Sequence, residues 1–142
     1  MNGGKQGACF YLDSSSKLDD SNSFYAYNAA DQGGVVFAIN DSLFHFRKGI
    51  FKENAGIDGG VVYSMYNSNK RALSFSDCKF IRNTASKNLM SLMSSKAFIE
   101  NSEFLDNFAY QSNHGINMIT SNAEIYNTKI SFSEGFTDYL DL

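Results

Sequence analysis

Phe80-Ile81-Arg82-Asn83-Thr84-Ala85 decides the fold, because its pattern returns along the chain. Tyr25-x-x-Asn28-x-Ala30 and Phe51-x-x-Asn54-x-Gly56 precede it, and Phe104-x-x-Asn107-x-Ala109 follows. The asparagines stand 26, 29 and 24 residues apart. One short motif at a near-constant interval of roughly 20–50 residues marks a stacked-repeat architecture.

Each motif is preceded by two further strand-like runs. The first run reads Ala8-Cys9-Phe10-Tyr11-Leu12, then Gly34-Val35-Val36-Phe37-Ala38-Ile39, then Gly60-Val61-Val62-Tyr63-Ser64-Met65, and weakens to Leu89–Met93 and Gly115–Ile119. Turns rich in Asn, Asp and Ser follow, and they hold most of the variation in repeat length. The second run alternates, as in Phe44-His45-Phe46-Arg47 and Leu73-Ser74-Phe75-Ser76. Three short strands in about 24–29 residues make one coil of a parallel β-helix, each strand pairing with its counterpart one coil on. The expected fold is therefore all-β: a solenoid of about five coils, three strands per coil, carrying Asn and aromatic ladders. Coils fall at roughly 7–32, 33–58, 59–87, 88–112 and 113–132, with 133–142 as a C-terminal tail or cap. An antiparallel sandwich is the competing architecture, but its hairpins give no reason for one motif in one register.

Composition agrees. The 142 residues include 13 Phe and 8 Tyr but no Trp or Pro, which suits short strands linked by Asn, Gly and Ser turns. A net charge of −3 gives no electrostatic case for nucleic acid. No apolar run reaches ~18 residues, so no membrane span is expected. Met1–Gly7 lacks the apolar core of a signal peptide and runs straight into repeat-like sequence, so the chain is expected to be one segment of a larger protein.

Stacking turns each repeat position into a column. Tyr25, Phe51, Phe80 and Phe104, continued by Ile130, form an inward aromatic ladder. Asn28, Asn54, Asn83 and Asn107 form a turn ladder that satisfies backbone groups the strands leave over. The small column Ser23/Gly49/Cys78/Ser102/Thr128 lies beside the rings. Lys79, Glu103 and Lys129 alternate in sign outside, as do Glu53, Arg82 and Asp106. On the first strand, Phe10/Phe37/Tyr63/Leu92/Met118 and Val35/Val61/Met90/Ile116 are read as core. That places Cys9, Tyr11, Val36, Ala38, Val62 and Met93 outward. With Phe24 and Ile50 on the third strand they make a face too apolar to stand bare, the candidate surface for a protein partner or a neighbouring part of the same assembly.

Candidate chemistry is sparse. Cys9 and Cys78 lie two coils apart at different repeat positions and read as free packing thiols. His45 and His114 share no column and have no Cys or Asp at ligand spacing, so no metal or cofactor is expected. Asp19-Asp20 reads as a solvated turn. Asn40-Asp41-Ser42 is the sequon and marks Asn40 as a possible glycosylation site in a secreted chain.

The strand Gly34-Val35-Val36-Phe37, followed by Phe51-Lys52-Glu53-Asn54, resembles the Gly-Gly-x-x-aromatic and Phe-x-x-Asn-x-Ala repeats of polymorphic outer-membrane proteins, within the right-handed parallel β-helix (pectin-lyase-like) class. The likeness covers residues 7–132. It implies a right-handed coil and a surface-exposed or secreted, extracellular rod used in adhesion or assembly. The functional expectation is a non-enzymatic structural or interaction module. A carbohydrate-binding β-helix using tyrosines such as Tyr11 and Tyr66 is the alternative, and a polysaccharide lyase or hydrolase a more remote one.

Overall fold

The computed structural model describes residues 3–111, 115–132 and 140–141. They form a parallel β-solenoid in which every strand pairs with its counterpart one coil away. One sheet stacks Phe10–Leu12, Val36–Ile39, Val62–Met65, Met90–Met93 and Ile116–Ile119. A second stacks Lys17–Ser21, Leu43–Arg47, Leu73–Ser76, Lys96–Glu100 and Asn122–Tyr126. The third, of nine strands, carries the motif. Here the third strand of each coil is split at the ladder asparagine: Phe24–Ala26 is followed by Ala29–Gln32, and Ile50–Lys52 by Ala55–Asp58. In the fourth coil the two halves fuse into Glu103–Ala109, which joins both stacks into one sheet. No helix among the described residues is long and apolar enough to cross a membrane.

The interior is aromatic. Tyr25, Phe51, Phe80 and Phe104 stack with ring centroids 5.2, 4.9 and 4.4 Å apart and nearly parallel planes. Phe46 and Phe75 on the second sheet stack at 5.7 Å and meet the first ladder edge-on, Phe46 against Phe51 and Phe75 against Phe80. Rings thus gain offset stacking along the axis and edge contacts across it. Cys78 lies buried in the small column, where its backbone N–H donates to Ser102 Oγ at 3.0 Å.

The corner beside this ladder is held by the asparagines. Asn83 Oδ1 accepts from both the backbone N–H and the side-chain amide of Asn54, each at 2.9 Å. Asn83 Nδ2 donates to Phe51 O at 2.8 Å and to Asn107 Oδ1 at 3.0 Å. Asn28 and Asn54 repeat the pattern. The residue before each asparagine, Tyr27, Glu53, Arg82 and Asp106, turns through left-handed backbone with φ of 58, 54, 50 and 52°. That turn exposes amides no strand can satisfy, and the buried carboxamides take them.

A second polar column, unforeseen from the motif, lines the corner after the first strand. Ser42 N–H donates to Asn67 Oδ1 at 2.8 Å, Asn67 N–H to Ser95 Oγ at 3.4 Å, and Ser95 N–H to Ser121 Oγ at 3.0 Å.

In the second and third coils the first strand departs from the expected register, while Phe10, Met90, Leu92, Ile116 and Met118 of the other coils point inward as expected. Val36, Ala38 and Val62 are fully buried, stacked inward with Phe10, Leu12, Met90 and Leu92. Tyr11, Phe37 and Tyr63 form the outward column instead, with ring centroids 5.2 and 5.4 Å apart. The cause lies at the strand entrance. Val35 and Val36 N–H both donate to Val61 O, each at 3.0 Å, as Cys9 and Phe10 do to Val35 O. Two successive amides on one acceptor are a bulge pattern that consumes a residue and switches side-chain parity. Gly33 and Gly59 enter it at φ 64 and 68°, where a Cβ would meet the Val36 or Val62 carbonyl oxygen at 2.0 or 2.2 Å. Only glycine fits there.

In the tail, Leu140–Asp141 pairs in parallel with Ile116–Asn117 and adds a rung to the first sheet. Glu134, Phe136, Asp138, Tyr139 and Leu142 lie outside the described residues, as does His114.

Candidate functional site

The expected apolar face divides. Val36, Ala38 and Val62 belong to the core and leave it. Cys9, Ile50 and Met93 are half-buried, and Met93 Sδ accepts from Tyr63 Oη at 3.2 Å. Tyr11 and Phe24 remain exposed, at 53% and 60% of their surface. Tyr27, which the motif alone does not single out, joins them at 54%. These three aromatics belong to the first coil and stand on different sides of it. One coil further in, Phe37 beneath Tyr11 is buried and Ile50 beneath Phe24 is half-buried.

At the first coil three strand edges stand without a partner among the described residues, as Asn122–Tyr126 and Lys129–Phe132 do at the far end, while Gly3–Gln6 covers the edge of Ala29–Gln32. Phe10–Leu12, Lys17–Ser21 and Phe24–Ala26 are the terminal members of their stacks. Phe10, Leu18 and Tyr25 point along interior columns yet are only partly covered. Asp20 stands one rung above Phe46, in a column that is otherwise apolar. Its two carboxylate oxygens accept from Ser23 Oγ and Tyr25 Oη, each at 2.8 Å. Burial, then the bond to Asp20, pushes the Tyr25 phenol well above its ordinary range. Asp20 is thus part of an inward polar cluster, not a freely solvated turn. Asp19 points outward and pairs with Arg47 at 2.6 Å.

The thiols are unreactive by environment. Burial pushes Cys78 up to about 11 and raises Cys9, and neither forms a disulfide. Thiolate character, which reactivity needs, is suppressed at both. His45 faces outward, with Nε2 3.3 Å from Arg71 O. No cluster of three His, Cys, Asp or Glu able to hold a metal occurs among the described residues.

Asn40 is exposed, with its side-chain amide donating to Asp13 Oδ1 at 2.8 Å. That bond holds the Asp13 carboxyl below its usual range. Ser42 of the same sequon is buried, and its hydroxyl donates to Ile39 O at 2.7 Å. The hydroxyl that defines the sequon is therefore engaged inside the folded corner.

Depressions mark the flanks. One, of about 420 Å³, runs over the small residues Gly3, Ala29, Ala55 and Gly56 beside Ile57 and Tyr110. Another, of about 170 Å³, lies on the second sheet around Phe98.

The ladders seen in the motif come together as expected: aromatic rings inside, asparagines at the corner, Lys79 and Glu103 paired at 3.2 Å outside, and Arg82 paired with Glu53. Comparison with protein-family models, curated protein sequences and solved structures finds no match for this chain.

Proposed function

We propose that this chain is a non-enzymatic structural and interaction module of a surface-exposed or secreted β-helix protein, acting in assembly or adhesion through its N-terminal coil. The observation that carries the reading is that Phe10–Leu12, Lys17–Ser21 and Phe24–Ala26 have open edges among the described residues, with Tyr11, Phe24 and Tyr27 exposed beside them. Unpaired edges are templates for further strands, and the half-covered Phe10, Leu18 and Tyr25 would be buried by a coil laid on them. The occupant that fits is another parallel coil with matching columns, from a partner chain or a neighbouring part of the same assembly. The motif likeness to polymorphic outer-membrane protein repeats supports the extracellular setting and the pectin-lyase-like, right-handed form.

Light scattering across a concentration series tests it. Phe24→Lys with Tyr11→Lys places two charges at the rim on side chains the fold does not bury. Association that weakens at least tenfold supports the docking end. Association unchanged in the double variant, with an unaltered circular dichroism spectrum, removes it.

Carbohydrate binding is the second reading, and the Tyr110 groove favours it. Tyr110 is 71% exposed beside an apolar trough that crosses several coils, a surface on which sugar rings could stack. Tyr11 and Tyr66 stand apart, in the first coil and at the corner of the third, so they do not form one platform. A glycan array that returns no ligand dependent on Tyr110 counts against this reading.

A further inference from the structure

Three cations converge on the outer face of the second sheet. The turn between Met65 and Leu73 spans seven residues, 66–72, whereas the corresponding turns in the other coils hold two to four. The extra residues overhang the next coil and lay Lys70 and Arg71 beside Lys96. Between them lies the depression of about 170 Å³, closed by Phe98, Asn122 and Glu124. The Arg71 guanidinium sits over the Phe98 ring, 4.0 Å from its centroid. This contact explains why Phe98, on an outward position, is nearly buried.

A guanidinium held over a ring keeps N–H donors that can fork onto an oxyanion. Elsewhere on this protein Arg47, Lys52, Lys79, Arg82 and Lys87 each meet a carboxylate within 4.0 Å, and Lys5, Lys17, Lys48 and Lys129 stand singly without an ion pair among the described residues. Lys70, Arg71 and Lys96 make no such pair among the described residues. Three cations and the single carboxylate of Glu124 leave +2 around the hollow, on a chain whose net charge is −3. A second shallow hollow of about 240 Å³ continues from Lys96 and Asn122 over Ser68, Ser94 and Thr120.

We propose that Lys70, Arg71 and Lys96 form a binding site for one tetrahedral oxyanion, a phosphate or sulfate ester group. The hollow holds one such group and not a drug-sized molecule, whose pockets run from roughly 300 Å³ upward. Arg71 supplies the bidentate fork, and Lys70 and Lys96 supply point charges. The hydroxyl-lined hollow beside it receives the neutral part of the ester. This site is on a side face and does not depend on the N-terminal docking end.

Amide NMR titration tests the site with three probes: inorganic phosphate, inorganic sulfate, and chloride at matched ionic strength. Saturable shifts at Arg71, Lys96 and Asn122 with phosphate or sulfate, and none with chloride, are expected. The probe that binds tighter identifies the ester class. Arg71→Gln with Lys96→Gln should weaken binding at least tenfold, and Arg71→Lys by less, because it keeps charge and loses the fork. Lys48→Gln, remote from the hollow, should change nothing. Equal shifts with chloride, or affinity unaffected by the double substitution, would overturn the proposal. All these side chains are exposed, so the fold survives the changes, and unchanged shifts at the core residues Phe51 and Phe80 verify it.

Discussion

The Asn83 side chain takes part in four hydrogen bonds, two as acceptor from Asn54 and two as donor to Phe51 O and Asn107 Oδ1. It is fully buried, so its loss leaves amides and a carbonyl with no water to replace it. Each buried polar group left unmade costs about 1–3 kcal/mol. Asn83→Ala should therefore destabilise the chain by about 3 kcal/mol or more in urea titrations. Asn28→Ala, at the end of the ladder, should cost about half as much; equal costs would mean the ladder is not cumulative. Cys78 gives a pH signature. Its ordinary thiol value is 9.0, and burial raises it to about 11, so the folded state favours the neutral thiol. Stability is untouched below the unfolded value and falls as pH rises from 9.0 towards 11, because only the unfolded thiol ionises freely there. Cys78→Ser, which copies Ser23 and Ser102 of its own column, should reduce the loss between neutral and alkaline pH. The shift is absent from the fold if wild type and variant lose stability equally. The raised Tyr25 phenol adds a further loss above pH 10.0 in both.

At the scale of the strand, parity decides which side chains are available. The alternation of the second and third strands was readable in the sequence because each enters its sheet without irregularity: Phe44 and Phe46 point in, and Lys79 and Ile81 flank an inward Phe80. The first strand is legible in the first, fourth and fifth coils but reads one position out in the second and third, because the entry bulge there is a backbone event. Gly33-Gly34 and Gly59-Gly60 hinted at a special turn, but not at two amides sharing one carbonyl. Val36 and Val62 are β-branched and apolar, so their composition suits either side. The consequence is measurable. Val36→Lys buries an unpaired ammonium in the core and should abolish cooperative unfolding or cost upward of about 3 kcal/mol. Tyr11→Lys, on the outward column of the same sheet, should stay within about 1 kcal/mol of wild type. The parity described here fails if the two substitutions cost the same. The Ser42, Asn67, Ser95 and Ser121 column is not legible in the sequence for a different reason. It mixes residue types, and the turn after Asn67 changes its spacing.

Across the whole molecule, the sequence showed what repeats and hid what occurs once. The coil count, the ring and asparagine columns and the outer charge alternation all recur, and each was legible as a period. Lys70, Arg71 and Lys96 meet only because one turn is long and the next coil lies directly beneath it, which no period reveals. The first-coil aromatics likewise gain significance only from standing where three of the strand stacks end. All of these conclusions rest on parallel, in-register coils. Strands one coil apart are about 4.8 Å from each other, within the roughly 4.4–6.8 Å that a disulfide spans. Lys79 and Glu103 are register partners on the outer face, and Leu105 lies two residues further along the same strand. Oxidative crosslinking on a Cys9→Ser, Cys78→Ser background tests this directly, read by mass spectrometry. Lys79→Cys with Glu103→Cys should form an intramolecular disulfide in high yield, and Lys79→Cys with Leu105→Cys should not. A failed in-register pair, or an offset pair that closes as readily, would contradict the coil stack.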